Sequence, residues 1–192
     1  MLHIEKTISA AQLIDTMHQI PLLQDKNTLP YANADISLEH MAMEDFVPTT
    51  LYVVKNGLRV QRSLRKDLLG LGHDPLNLDG ALHVNNDGYR VGIVPPIVED
   101  DPEFGPMLID GAHRVYNARL IGTEVIKVLR IKNSLSEAPV YAFPNQWDEV
   151  LEYNEAPTNP KLKKNYRDNP RSLYRDFSAL NGSSIREGSI AS

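Results

Sequence analysis

Met107-Leu108-Ile109-Asp110-Gly111-Ala112-His113-Arg114-Val115-Tyr116-Asn117-Ala118-Arg119-Leu120-Ile121-Gly122 changes its character halfway along. Met107 to Ile109 is a short apolar run, which reads as the end of a buried strand. Asp110-Gly111-Ala112 is a tight polar turn. Val115, Ala118, Leu120 and Ile121 then give one apolar side of a short helix, and Gly122 stops it. The turn gathers a carboxylate, a glycine, an imidazole and a guanidinium. A helix start offers backbone N–H groups without intrahelical partners and the positive end of the macrodipole, a setting that favours anions. Gly111 allows close approach of the backbone, and Arg114 can grip a phosphate with two parallel hydrogen bonds. The stretch therefore reads as a phosphate site. Its plain alternative is a strand, turn and helix with ordinary surface charges.

Working outward, Glu124 to Ile131 alternates as a strand, which makes a βαβ-like unit around the turn. Tyr89 to Val94 is a strand broken by Pro95-Pro96, and Ile97-Val98 resumes it. An acidic turn, Glu99 to Pro106, leads into the central strand. It is either a solvated hairpin tip or a place where Glu99 points inward as a base or metal ligand. Val47 to Val54 is a strand candidate, Asn56-Gly57 a hairpin turn, and Leu58 to Gln61 its return strand. Arg59, Arg62, Arg65 and Lys66 form a basic cluster, either a solvated helix face or a second set of phosphate contacts. Gly70 to Asn86 has loop composition. It holds His73 and His83 near Asp74, Asp79 and Asp87, but their spacing matches no established metal-ligand pattern.

Towards the termini, Ser9 and Gln12 form a capping-box pattern. Leu13, Ile14, Met17 and Ile20 then share a helix face until Pro21. His18 reads as a boundary residue. Leu22 to Leu38 reads as loop with at most one short strand. Asn145 to Tyr153 is expected to be a short helix with Trp147, Val150 and Leu151 inward, the single tryptophan acting as a core anchor. Residues 1–155 therefore read as one domain with an N-terminal helical extension. Residues 156–192 read as a basic C-terminal helical extension with a frayed tail. In the latter, Lys161, Lys163, Lys164, Arg167, Arg171 and Arg175 are interleaved with Tyr166, Tyr174 and Phe177. Asn169-Pro170 should start a helix carrying Leu173, Phe177 and Leu180, and Asn181-Gly182 should end it. Lys161, Lys163, Lys164, Arg167 and Arg171 are candidate contacts for single-stranded DNA, with the tyrosines as stacking faces. The alternative is that the aromatics pack the segment onto the domain.

Composition narrows the classes. The chain has 192 residues and 42% hydrophobic content, enough for a real core. It has no cysteine, which removes disulfides, thiolate metal sites and cysteine nucleophiles. A net charge of −5 argues against a whole-surface nucleic-acid binder but allows a local basic patch. No run is long enough to span a membrane and the start lacks a signal-peptide pattern, so a cytoplasmic location is expected.

The central stretch also resembles the ParB/sulfiredoxin superfamily. Val94-Pro95-Pro96-Ile97-Val98, an acidic turn, Leu108-Ile109-Asp110-Gly111-Ala112-His113-Arg114, a short helix and Ile121-Gly122 follow its layout, from about Gly92 to Ile131. The resemblance implies a small α/β (α+β) fold, a mixed sheet with flanking helices, in which this strand, turn and helix hold nucleotide phosphates. Gly111, Ala112, His113 and Arg114 would contact phosphate. Asp110 would be the acid/base or metal-side carboxylate, with His113 and Glu99 as further catalytic candidates. ATP or another nucleoside triphosphate, with Mg²⁺, is the implied cofactor set. Two departures narrow the list. Sulfiredoxins carry a reactive cysteine where this chain has Ala112, so sulfinic-acid reduction is excluded. Partitioning proteins carry a different loop and a following DNA-binding domain for which too few residues remain. The leading expectation is a stand-alone ATPase or DNase, a plasmid- or phage-borne factor such as a fertility-inhibition protein. A serine-like metabolite kinase and a non-catalytic nucleotide-binding module that regulates a protein partner are the alternatives.

Overall fold

The computed structural model describes residues 2–86 and 89–180. In chain order the elements are β1 Leu2–Ser9, α1 Ala10–His18, β2 Asp35–Ala42, β3 Val47–Pro48, β4 Tyr52–Val54, α2 Lys55–Gly70 and β5 Gly80–Asn86. There follow β6 Tyr89–Ile93, β7 Ile97–Asp101, β8 Gly105–Asp110, α3 Ala112–Leu120, β9 Val125–Lys132, β10 Leu151–Tyr153 and α4 Pro170–Leu173. The described residues form a mixed α+β fold with three sheets, the largest ordered β2-β9-β7-β8-β3.

That sheet is two-faced because strand side chains alternate. Ile97, Met107, Ile109, Leu129 and Ile131 join one cluster with Leu13, Met17 and Ile20 from the α1 side. Val98, Leu108, Ile126 and Val128 join the other cluster, with Val115 and Ala118 of α3. The βαβ-like expectation needs one correction of register. β9 pairs parallel with β7, and β7 pairs antiparallel with β8. The strand after α3 therefore docks beside β7 and runs against β8. α1 starts as its sequence predicts, with Ser9 and Gln12 making both capping-box bonds. His18 sits at the boundary, its Nδ1 2.8 Å from the Tyr31 carbonyl.

Other local expectations change. Val47 to Val54 is split, since β3 and β4 belong to different sheets. Asn56-Gly57 is not a hairpin turn: both residues lie in the first turn of α2, which runs on through the supposed return strand. The stretch expected as loop ends in β5, which pairs antiparallel with both β1 and β6. Its outward His83, Asn85 and Asn86 mask the buried Leu82 and Val84. Residues 145–153 form one 3₁₀ turn, Trp147–Glu149, and then β10, and Leu151 faces outward at 55% exposure. Trp147 does anchor, donating Nε1–H to the Phe46 carbonyl and meeting the Phe46 ring edge-on.

The C-terminal segment departs most. α4 stops after one turn, and the chain becomes extended at Tyr174. Leu23 N–H donates to the Tyr174 carbonyl and Asp176 N–H to the Pro21 carbonyl, so the segment is strapped to the loop after α1. Arg175 then enters the core. Its Nη2 donates to Glu99 Oε1 at 2.5 Å and to the Ala138 carbonyl, its Nε to the Tyr31 hydroxyl, and its Nη1 to the Pro139 and Leu173 carbonyls. Tyr31 in turn donates to Glu99 Oε2 at 2.6 Å. Phe177 and Leu180 pack into the α1-side core. The expected end of the helix at Asn181-Gly182 and the tail lie outside the described residues.

A buried ion pair with every donor placed resists removal of one partner, because the other is left charged in a dry site. Arg175→Ala should therefore lower the unfolding free energy in urea by about 3–5 kcal/mol. Arg171→Ala, on an exposed position of the same strap, should change it by less than about 0.5 kcal/mol. Equal small losses for both would show that the network is not a structural tie.

Candidate anion-binding site

The site begins with a backbone constraint. Gly111 is the N-cap of α3 with φ +90°, the left-handed region that favours glycine. A Cβ there would also lie 3.1 Å from Pro96 Cα and Cβ. Among the described residues the N-cap position itself makes no side-chain capping bond at this helix start. The first-turn amides of Ala112, His113 and Arg114 have no carbonyl one turn below them within α3.

Arg114 corrects an expectation. The sequence pattern has it reaching outward to grip an anion, yet it is only 8% exposed. Its guanidinium folds back under the turn, donates to the Val94 carbonyl and lies 3.8 Å from Asp110 Oδ2. Burial lowers its pKa and the Asp110 charge opposes that shift. Arg114 is thus primarily the tie between the turn and the Val94-Pro95-Pro96 segment. Asp110, also buried, neutralises it from the strand end.

His113 is engaged as well. Its Nε2 accepts the Val54 N–H at 3.0 Å, at the start of α2, which has no side-chain cap of its own. An acceptor nitrogen carries no proton, so the ring is the neutral Nδ1–H tautomer. Burial pushes its pKa down. The ring also explains Gly57, where an added Cβ would fall 2.7 Å from His113 Nε2. The contact brings two helix starts side by side.

From there α2 and α3 run on together. Asn117 joins them, donating Nδ2–H to the Leu58 carbonyl and accepting from Arg62 Nε. Between the helices lies a cleft of about 280 Å³. Arg62, Lys66 and Asn117 stand on its walls, Arg114 borders it, and Leu76, Ala118 and Ile121 supply apolar surface. Arg65 is held by a two-point pair with Asp74 at 3.1 and 3.0 Å. The basic cluster of the sequence therefore lies along α3, the helix that follows the central turn. Asn117, three residues after Arg114, is the wall residue that sequence reasoning missed; only its polar character on an otherwise packed helix face signalled it.

The remaining candidates are elsewhere. Glu99 points inward, but to the opposite face of the sheet from Asp110, where Tyr31 and Arg175 occupy both its oxygens. The register sets it beside Met107 of the α1-side cluster, and alternation along β8 turns Asp110, three positions after Met107, to the other face. As a base for this turn it is corrected to a structural partner. Lys164 donates to Thr49 and Tyr141, and Arg167 pairs with Asp101 between the Phe104 and Phe143 rings. Both are taken up in packing, and Tyr174 stacks edge-on against Tyr141, 4.9 Å between centroids. Lys161 and Arg171 stay exposed and Lys163 half-buried, away from the cleft. Asp74 and Asp79 pair with Arg65 and Lys127, and among the described residues no group of three or more His, Asp or Glu gathers as metal ligands. Asp87 lies outside the described residues.

The neutral His113 makes stability depend on pH. Its folded pKa lies below the unfolded value of about 6.5, so its contribution is full above pH 6.5 and is lost as pH falls through the lower folded value. His113→Gln keeps an acceptor without titrating, so its stability should fall less than wild type between neutral and mildly acidic pH. Identical profiles would contradict the assignment. Gly57→Ala should cost about 1–3 kcal/mol by pushing the ring off Val54, measured by thermal or urea unfolding.

With the geometry in place, similarity can be set beside it. No curated protein matches the chain, and no solved structure does. The model of the ParB CE domain family matches residues 12–151, from the first turn of α1 to the start of β10, so it takes in the sheet, the turn and both cleft helices. On that match, covering well over half of its length, the chain belongs to the ParB CE domain family.

Proposed function

We propose that this ParB-like domain binds a nucleoside phosphate, ATP or a related triphosphate, in the cleft between α2 and α3. The observation that carries the reading is the composition of the walls: Arg62 and Lys66 on the α2 side facing Asn117, Arg114 of the first turn of α3 at the border, and apolar surface from Leu76, Ala118 and Ile121. Cations and amide dipoles suit phosphates, and a small apolar recess suits a base. Mg²⁺ would come with the nucleotide's own oxygens and need one or two carboxylates, and Asp110 is the carboxylate at the turn.

The same geometry favours a binding module that signals nucleotide state to a partner. His113 accepts from Val54, Glu99 is across the sheet, and Asp110 faces Arg114. None of the three stands as an open general base. ATPase or DNase activity is the second reading, favoured by the position of Asp110 immediately before the anion turn.

Calorimetry with ATP and Mg²⁺, with phosphate release and DNA nicking followed on the same sample, tests both. Arg62→Gln with Lys66→Gln should weaken ATP by about tenfold or more, the scale of losing a charge-assisted hydrogen bond, at unchanged thermal stability. Absence of binding by any nucleoside triphosphate at millimolar concentration would refute the reading. Turnover in wild type that disappears in Asp110→Asn, with binding retained, would replace the module by the hydrolase.

A further inference from the structure

We infer that the carboxyl ends of β3 and β8, where the C-terminal strap closes over them, form a binding site for the carboxylate of a small organic acid, separate from the cleft between α2 and α3. Two donors left over from the packing carry it. The first is Lys164, whose Nζ donates to Thr49 Oγ1 and to the Tyr141 hydroxyl, both at 3.1 Å. Thr49 donates in turn to the Leu108 carbonyl, and the Tyr141 hydroxyl stands 3.5 Å from that of Ile109, which sets the ammonium at the end of β8. An ammonium has three N–H groups, and the third has no partner among the described residues. No carboxylate among them lies within ion-pair distance of Lys164 either. Arg114, Lys127, Arg130, Arg167 and Arg175, which are also half-buried or buried, each face one. The second donor is Asn145, only 2% exposed. Its Oδ1 accepts from Asn165 at 2.6 Å, but its Nδ2 has no partner among the described residues. Asn145 N–H is bonded to the Pro48 carbonyl, so the two donors are fastened at consecutive residues, Pro48 and Thr49, of one strand end.

The chemistry selects the ligand class. A half-covered cation without a counter-charge and a buried amide without an acceptor both gain from one anion. One uncompensated positive charge matches a monoanion, and a carboxylate brings two acceptor oxygens for the two donors. Phosphate is better served by an arginine fork, and Arg167 and Arg175 of the strap are committed to Asp101 and Glu99. The surroundings are phenolic. Burial raises the pKa of Tyr52 and of Tyr166 against the opposing charge of Lys164, so both remain O–H donors. The ammonium is also held in place, because Leu51 N–H donates to the Lys163 carbonyl and Phe143 N–H to that of Asn165. Lys164 and Asn165 lie beyond residue 151, where the family match ends, so this half of the site stands outside the family's domain.

The test is a titration of isotopically labelled protein with sodium acetate, set against sodium chloride at equal ionic strength and against inorganic phosphate, and followed by amide chemical shifts. Acetate should give saturable shifts at Thr49 to Tyr52, Tyr141 to Asn145 and Lys163 to Asn165, and phosphate should bind more weakly. Lys164→Met keeps the packing of the stem and removes the charge, and it should weaken acetate about tenfold or more. Lys163→Gln, and Arg62→Gln with Lys66→Gln, should leave acetate affinity unchanged. Should Lys164→Met fail to fold, the wild-type titration still decides. Shifts no different from those of chloride, tighter binding of phosphate, full acetate affinity in Lys164→Met, or loss of the shifts in Arg62→Gln/Lys66→Gln would each overturn the inference. Acetate binding without ATP binding would uphold this site and refute the cleft, and the reverse result would do the opposite.

Discussion

The guanidinium of Arg114 lies under the turn that carries it, donating to the Val94 carbonyl and facing the Asp110 carboxylate. Much of the molecule's shape near the site follows from that placement. A buried charge must be paired and hydrogen-bonded, so β8, the Val94-Pro95-Pro96 segment and the first turn of α3 are held in one arrangement. Gly111 is needed because the backbone turns left-handed there against Pro96. With α3 aimed in this way, His113 reaches Val54 and sets the start of α2 beside the start of α3. The proposed anion site is thus a consequence of packing, in which the residues that look most reactive hold the backbone amides in position.

A second buried arginine closes the fold from the other face. Arg175 brings the C-terminal strap onto Glu99 and Tyr31 and carries Phe177 and Leu180 into the α1-side core. The two arginines lie on opposite faces of the same sheet. One organises the turn and the helices, and the other ties the end of the described chain to the central strand. Charges that read in sequence as surface equipment are in both cases internal fasteners.

The legible parts of the sequence were those where periodicity and punctuation agreed. Met107 to Gly122 shows its strand, turn and helix, and Ser9 with Gln12 shows the start of α1, because each step is a local rule. Gly57 misleads because its reason is distant: it makes room for the His113 ring, and nothing within a few residues of it says so. β5 hides behind outward His83, Asn85 and Asn86. The spacing of Leu173, Phe177 and Leu180 predicts a C-terminal helix, but the chain straightens at Tyr174 because Arg175 is drawn to Glu99, a contact 76 residues away in sequence. At the site, the sequence names the turn and the basic cluster, and the structure sets the cluster along the helix that follows the turn. It cannot reveal that Arg114, His113 and Glu99 are already bonded, since a motif lists groups and not their partners.

The account stands on nucleotide phosphates meeting the cleft between α2 and α3. Amide hydrogen exchange with and without ATP and Mg²⁺ reads that location without a variant. The expected result is slowed exchange in the first turn of α3 from Ala112 and along the cleft-facing part of α2, with the strap around Lys161 to Arg171 unchanged. Protection confined to the polar groove beside Asp100, Lys132 and Asn133, or to the strap, would place the ligand elsewhere and contradict the account.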